Sequence, residues 1–300
     1  MTKAFRNPLR RRDLFKWSGA TAGMVAAAGA AGVLTSTSAH AQMKIGDSKL
    51  TEVLDRGRLI VATGSTNPPW HFEDASGNLQ GMDIDMARLL AKGLFNDESK
   101  VEFIKGNPDT RIPNLVTNKA DIVIQFMTVT PGRAQQVAFT IPYYREGVGV
   151  LLLKTSPFNS LEELAAKGSA VTISALQNVF IEEWVHKGLP QAKVDQYESI
   201  DASLQALNAK RADGQIADLS NLRWQIKQFP NRFKDAGSGW MPNSYAAAVK
   251  PGDPIWLDWV NSVFREALMG VDFDTMKASY KKWFDIDVAT PKIGFPVEYS

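Results

Sequence analysis

Asp121–Tyr144 reads DIVIQFMTVTPGRAQQVAFTIPYY. Its opening is apolar and β-branched at Ile122, Val123 and Ile124, the composition of a buried strand. The run ends in a polar turn carrying Thr128 and Thr130. Pro131 and Gly132 follow, opening a helix with Arg133 in its first turn. A helix start presents unpaired N–H groups and a partial positive charge. A hydroxyl and a guanidinium beside it make a site for a planar anion, most simply a carboxylate. The segment therefore predicts capture of a small acid rather than chemistry on it.

Outward from this stretch, strands and helices alternate. Leu59–Thr63, Val101–Lys105 and Asp121–Gln125 are predicted strands. Between them lie a helix at MARLLAKGL, with Asp83 or Asp85 as its N-cap, and a short helix over Ile112–Thr117. The βαβαβ order implies a parallel sheet with ligand groups at the carboxyl ends of its strands. After a long apolar strand, Gly147–Lys154, a second set follows. Its strands are Ala170–Ser174, Ala192–Tyr197 and Gly214–Ala217; its helices are Leu161–Lys167, Val179–Lys187, Ala202–Ala209 and Ser220–Lys227. Ser244–Lys250 reads as one strand returning to the first unit. Helices at Pro254–Met269 and Asp274–Phe284 close the chain, with Trp256, Trp259 and Trp283 at core spacing. The expected organisation is two α/β lobes, residues 42–149 plus 247–300 and residues 150–246, joined by two crossovers with a cleft between them.

The first 41 residues read as an export leader. Arg10-Arg11-Arg12 precede Asp13, Leu14, Phe15 and Lys16; an Ala- and Gly-rich apolar stretch follows, and Ala39-His40-Ala41 has the small-x-small form of a cleavage site. The paired arginines resemble a twin-arginine signal, with Leu14 and Phe15 exchanged. Cleavage before Gln42 would leave a periplasmic chain. The leader holds six Lys/Arg and one Asp, so the net charge of +2 becomes −3 over the remaining 259 residues. No basic, aromatic-studded run asks for nucleic acid. The chain has no cysteine, which excludes disulfides, thiol nucleophiles, cysteine-ligated metals and a lipidated N-terminal cysteine. No metal or cofactor site is expected.

GMDIDMARLLA, RIPNLVTNKADIVIQFMTVTPGRAQQVAFTIPYY, KRADGQIAD and KASYKKWF resemble the family 3 extracellular solute-binding proteins, which serve ABC importers of polar amino acids. The likeness covers about Leu50 to Phe284 and implies the type II periplasmic-binding-protein fold. It implies that Arg133, with Thr128, grips an α-carboxylate, and that Asp218 binds the α-ammonium, although an Asp after a strand is also a common helix N-cap. It implies that Trp70 stacks on the ligand, against the alternative of a core tryptophan. Asn67, on the same loop, is placed to donate to a ligand side chain. Arg111 matches a position near the side chain in binders of acidic amino acids. Phe126 and Met127 fall in the ligand-facing turn, where the Phe126 ring either narrows the pocket or is core. Thr130 is expected to cap its helix, and His71 to be structural. One departure stands out: Leu176, Gln177 and Asn178 replace the family's usual Gly-Thr, leaving Gln177 and Asn178 as side-chain donors. The expected partners are a small amino acid-like ligand and an inner-membrane ABC permease, with the protein acting as a monomer. Two other functions fit the same fold: a cyclohexadienyl-dehydratase-like enzyme with Glu182 or Glu183 as its acid, and a ligand sensor for a separate receptor.

Overall fold

A computed structural model describes residues 45–237, 239–294 and 296. The expected leader and its cleavage site lie outside the described residues. The first α-helix among the described residues is α1 (Lys49–Arg56), capped by Ser48, whose hydroxyl accepts from Leu50 N–H. Then come β1 (Leu59–Thr63), a hairpin of β2 (Thr66–Asn67) and β3 (His71–Glu73), β4 (Leu79–Gln80), and α2 (Met82–Phe95). β5 (Val101–Lys105), α3 (Arg111–Val116), β6 (Ile122–Val123), α4 (Pro131–Ala134) and β7 (Ala138–Phe139) complete the first pass.

The second lobe starts on β8 (Tyr144–Leu153) and runs through α5 (Leu161–Ala165), β9 (Thr172–Leu176), α6 (Ile181–Gly188) and β10 (Lys193–Tyr197). α7 (Ile200–Asn208), β11 (Gly214–Asp218), α8 (Leu219–Gln228), β12 (Phe233–Asp235) and β13 (Trp240–Tyr245) follow. β14 (Ala248–Val249), α9 (Pro254–Met269) and α10 (Phe273–Phe284) return to the first lobe.

Two sheets organise the lobes. The first has the order β5-β1-β6-β14-β7, and the second β10-β9-β11-β8-β12, with β13 also paired to β8. β1 lies parallel to β5 from Leu59↔Val101 to Thr63↔Lys105 and parallel to β6. In the second sheet β9 is parallel to β10 and β11, while β8 runs antiparallel to β11. The sheet pairing of β8 begins at Tyr144 and that of β13 ends at Tyr245.

Each sheet carries two buried clusters. In the first lobe Trp256, Val260 and Phe264 of α9 and Met82, Met86 and Leu90 of α2 close over the sheet. The second packs Val150, Ile173 and Ile216 against Leu164 and Val185. Trp256 and Trp283 are buried as their spacing predicts, and Trp259 is partly so.

Three expectations are corrected. The single return strand over 244–250 is two, because the chain leaves the second sheet at Tyr245 and enters the first at Ala248. The strand expected over 121–125 keeps ladder pairing only at Ile122 and Val123. α2 begins four residues early: Gly81 is its N-cap, and neither Asp83 nor Asp85 caps it. Asp83 instead turns inward, where the tertiary fold offers it donors.

Candidate functional site

The site grows from the end of β6. Phe126 adopts φ +35°, in the left-handed region that a bulky residue occupies only when held there. Its N–H donates to Asp83 Oδ2 at 2.9 Å. The same fully buried carboxylate meets His71 Nδ1 at 2.7 Å and accepts from the Tyr143 hydroxyl at 3.1 Å. Asp83 thus anchors the turn by three contacts. The Phe126 ring stacks on His71, with centroids 4.8 Å apart, and the Arg111 guanidinium lies 4.7 Å from its centroid.

Two guanidiniums are buried here. Arg111, at the start of α3, is 3 % exposed, and its Nε and Nη2 have no hydrogen-bond partner. Burial, then the nearby positive charge of Arg133, bring its pKa down to about 10. Arg133 is 8 % exposed; its Nη1 donates to the Thr128 carbonyl at 2.9 Å and its guanidinium sits 5.2 Å from the Phe180 ring centroid. Burial lowers its pKa too. Thr130 caps α4, its hydroxyl accepting from Arg133 N–H at 3.2 Å, as expected.

The acidic side comes from the second lobe. Asp218 ends β11 and stands at the N-cap position of α8, yet its side chain makes no capping bond. Burial raises its pKa to about 6, opposed by the Tyr245 hydroxyl and the Arg111 charge. That hydroxyl is close enough to favour the carboxylate but lies outside hydrogen-bond geometry. Behind Asp218 is Glu146 on β8, accepting from the Gly147 and Ser220 N–H groups at 3.0 and 3.3 Å. Burial and the Asp218 charge lift Glu146 to about 8.

Arg111, Phe126, Thr128, Asn178 and Asp218 line one small cavity between the lobes, about 40 Å³ in volume. Ile181, Trp184 and Ile200 supply apolar walls from the second lobe. The other expected contacts are elsewhere. Met127 packs in the first-lobe core beside Leu115 and Val137. Gln177 is exposed on the outer rim, its N–H bonded to the Tyr197 carbonyl. Arg133 stands behind Thr128 rather than on the cavity wall, because the Thr128 carbonyl and Phe180 hold its head group. Trp70 is fully buried among Tyr144, Tyr245 and Phe284, and its Nε1 donates to Ser220 Oγ at 2.7 Å. Asn67 accepts from Asn221 Nδ2 at 2.6 Å.

Residues 59–286 match the bacterial extracellular solute-binding proteins, family 3. The chain belongs to that family. It is 29 % identical over 215 residues to the ABC transporter glutamine-binding protein GlnH of Bacillus subtilis, covering 72 % of this chain and 76 % of that one. Among solved structures, the ancestral amino acid-binding protein AncCDT-1, described as a precursor of cyclohexadienyl dehydratase, aligns with a TM-score of 0.71 at 31 % identity, covering 79 % of this chain and 100 % of that one. The cysteine-binding protein of Campylobacter jejuni aligns equally well at 28 % identity, covering 79 % and 92 %. These likenesses carry the type II periplasmic-binding-protein fold and a family of solute-binding proteins working with ABC transporters. Among the described residues no helix is long and apolar enough to cross a membrane.

In this family 3 chain the Trp70–Ser220 and Asn67–Asn221 bonds tie the first-lobe loop to the start of α8. Asn221 also donates to the Pro68 carbonyl. Trp70 therefore sits at the lobe junction, bonded through its Nε1–H to Ser220.

Glu146 went unnoticed in the sequence; the signal was an acid, next to Arg145, at the head of the apolar run Gly147–Leu153. It has a consequence for stability. Glu146 and Asp218 hold their protons in the folded protein at pH values where the unfolded chain has released them. The unfolded state then binds fewer protons, so stability falls as pH rises through the window from about 4 to about 8. The melting temperature of the ligand-free protein is expected to drop between pH 5 and pH 8.5, and Glu146→Gln to flatten that slope. Calorimetry at five pH values checks it; an unchanged slope in the variant would remove Glu146 from the account.

Proposed function

We propose that this protein captures an α-amino acid between its lobes and presents it to the permease of an ABC importer. The observation that carries this is the pair of buried guanidiniums, Arg111 and Arg133. Neither has a carboxylate ion-pair partner among the described residues, and the acid Asp218 lines the same cavity as Arg111. Buried like charges are costly unless an anion joins them. A ligand carboxylate on Arg111 and the Thr128 hydroxyl, backed by Arg133, supplies that anion. The ligand ammonium pairs with Asp218, and its positive charge favours the ionised form of that carboxyl. Cation and anion sites stand on different lobes, so a zwitterion bridges them and favours closure.

The relatives are named for glutamine, cystine, arginine and cysteine binding, which supports an amino acid as the solute class. Glu182 and Glu183 are exposed, Glu183 pairing with Lys187 and Glu182 accepting from Gln196. Neither is aimed at the cavity, which favours capture over dehydration chemistry. The leader sequence supports export to the periplasm by the twin-arginine route, and we read the exported protein as a monomer.

A thermal-shift screen of the twenty amino acids on refolded protein tests the reading, since a ligand that binds only the native state raises its melting temperature. Asp218→Asn should weaken each hit at least about tenfold, while deaminated analogues of the hit, lacking the ammonium, lose little further between wild type and variant. No shift with any α-amino acid would end the proposal.

A further inference from the structure

The cavity beside Asp218 is only part of the space between the lobes. Phe126, Leu176 and Ile200 also line a larger cavity of about 370 Å³, whose first-lobe side includes Gly64, Asn67, His71 and Gln125. The shared wall is apolar and is built from both lobes, so it parts when they separate and can close along an aliphatic chain.

Asn67 and His71 are directly opposed across the β2–β3 pair. Side chains of such a pair stand on the same face with Cβ atoms roughly 5 Å apart. Each is 2 % exposed. The Asn221 amide is oriented by its bond to the Pro68 carbonyl, and it donates through the same nitrogen to Asn67 Oδ1. Asn67 Nδ2 is therefore the group left over, a buried donor with no partner. Burial holds His71 below its usual pKa, hence neutral near pH 7. With Nδ1–H donating to Asp83, Nε2 is the acceptor of the ring. Gly64 lies against that edge, where a Cβ would come within 2.5 Å of Nε2. The larger cavity thus offers one buried donor and one buried acceptor, side by side.

We propose that this second chamber is a subsite for a primary carboxamide at the far end of the ligand side chain. Asn67 Nδ2 donates to its carbonyl oxygen, and His71 Nε2 accepts from its NH₂. The ligand's methylenes cross the Phe126–Leu176–Ile200 wall. This rests on the amino acid reading above, with the α-groups on Arg111 and Asp218. A carboxylate in the same place would satisfy Asn67 but set a lone pair against His71 Nε2, and an alkyl end would leave the Asn67 donor unpaired.

The test is calorimetric titration with L-glutamine, L-glutamate and L-alanine. Wild type should bind L-glutamine at least 10-fold more tightly than L-glutamate. Asn67→Asp keeps the oxygen that Asn221 needs and replaces only the free donor; it should weaken L-glutamine at least 10-fold and leave L-alanine within twofold. A wild-type preference for L-glutamate, or no binding of L-glutamine, overturns the carboxamide subsite without reference to any variant. So does an Asn67→Asp protein that melts as wild type does and keeps full L-glutamine affinity. Failure of wild type to bind any α-amino acid overturns the proposed function as well, which separates the two.

Discussion

Arg111→Met is expected to weaken ligand binding by about 100-fold or more while leaving the ligand-free protein as stable as wild type, or more so. The guanidinium has two buried nitrogens without partners, and a hydrogen bond to a charged group contributes about 1.5–3 kcal/mol. Two such bonds to a ligand carboxylate correspond to a loss of roughly 10² to 10⁴ in affinity when they are removed. The same nitrogens are a burden without a ligand. The pKa of Arg111, lowered to about 10 by burial and by Arg133, says that the folded protein disfavours the charge it holds. Methionine fills similar volume without that cost. Titration calorimetry with the best ligand of the thermal screen, beside differential scanning calorimetry of the ligand-free protein, reads both effects. Equal affinity in wild type and variant would take Arg111 out of the site.

Gly81→Ala is expected to destabilise the fold by several kcal/mol, on the order of the larger single-residue effects known. Gly81 sits at φ +122°, outside the range open to L side chains, and a Cβ there would lie 2.2 Å from the Trp70 carbonyl oxygen and 2.9 Å from His71 N. The obstacle is backbone, which no rotamer change relieves. That backbone also accepts the Asp83 N–H at 2.9 Å, so the start of α2 and the Trp70 loop are clamped together. Urea denaturation should show a lower midpoint with an unchanged slope. A midpoint equal to that of wild type would mean that the loop and helix can separate freely.

The sequence carried most of the elements because their signals are local. Val101–Lys105 and Pro254–Met269 came out with the observed limits, one bounded by its apolar run and the other by Asp253 and Pro254 at its start. Direction of side chains is a different matter. Arg133 is present in the first turn of α4, but the Phe180 ring that meets it comes from the other lobe, 47 positions away in the chain. Asp83 reads as a cap until the turn at Phe126 delivers an N–H to it. Trp70 reads either as a stacking platform or as a core tryptophan, and its Nε1–H partner, Ser220, lies 150 residues on. Asp218 was legible as the acid that ends an apolar strand, and Thr128 as a hydroxyl in the polar turn beyond one. Asn178 lines the cavity, whereas Gln177 beside it is exposed on the rim; both lie beyond the end of β9 at Leu176.

The two connections between lobes are not independent cords. β8 and β13 are zipped antiparallel from Tyr144↔Tyr245 through Arg145↔Ser244 to Glu146↔Asn243, and the ladder slips between Asn243 and Trp240, where Met241 takes φ +54°. A ribbon of two bonded strands bends across its plane far more readily than it shears along its length. The lobes should therefore swing like covers on a spine, through one dominant angle. Opening and closing would then relax as a single exponential, whichever pair of fluorescent labels across the mouth is used to follow it.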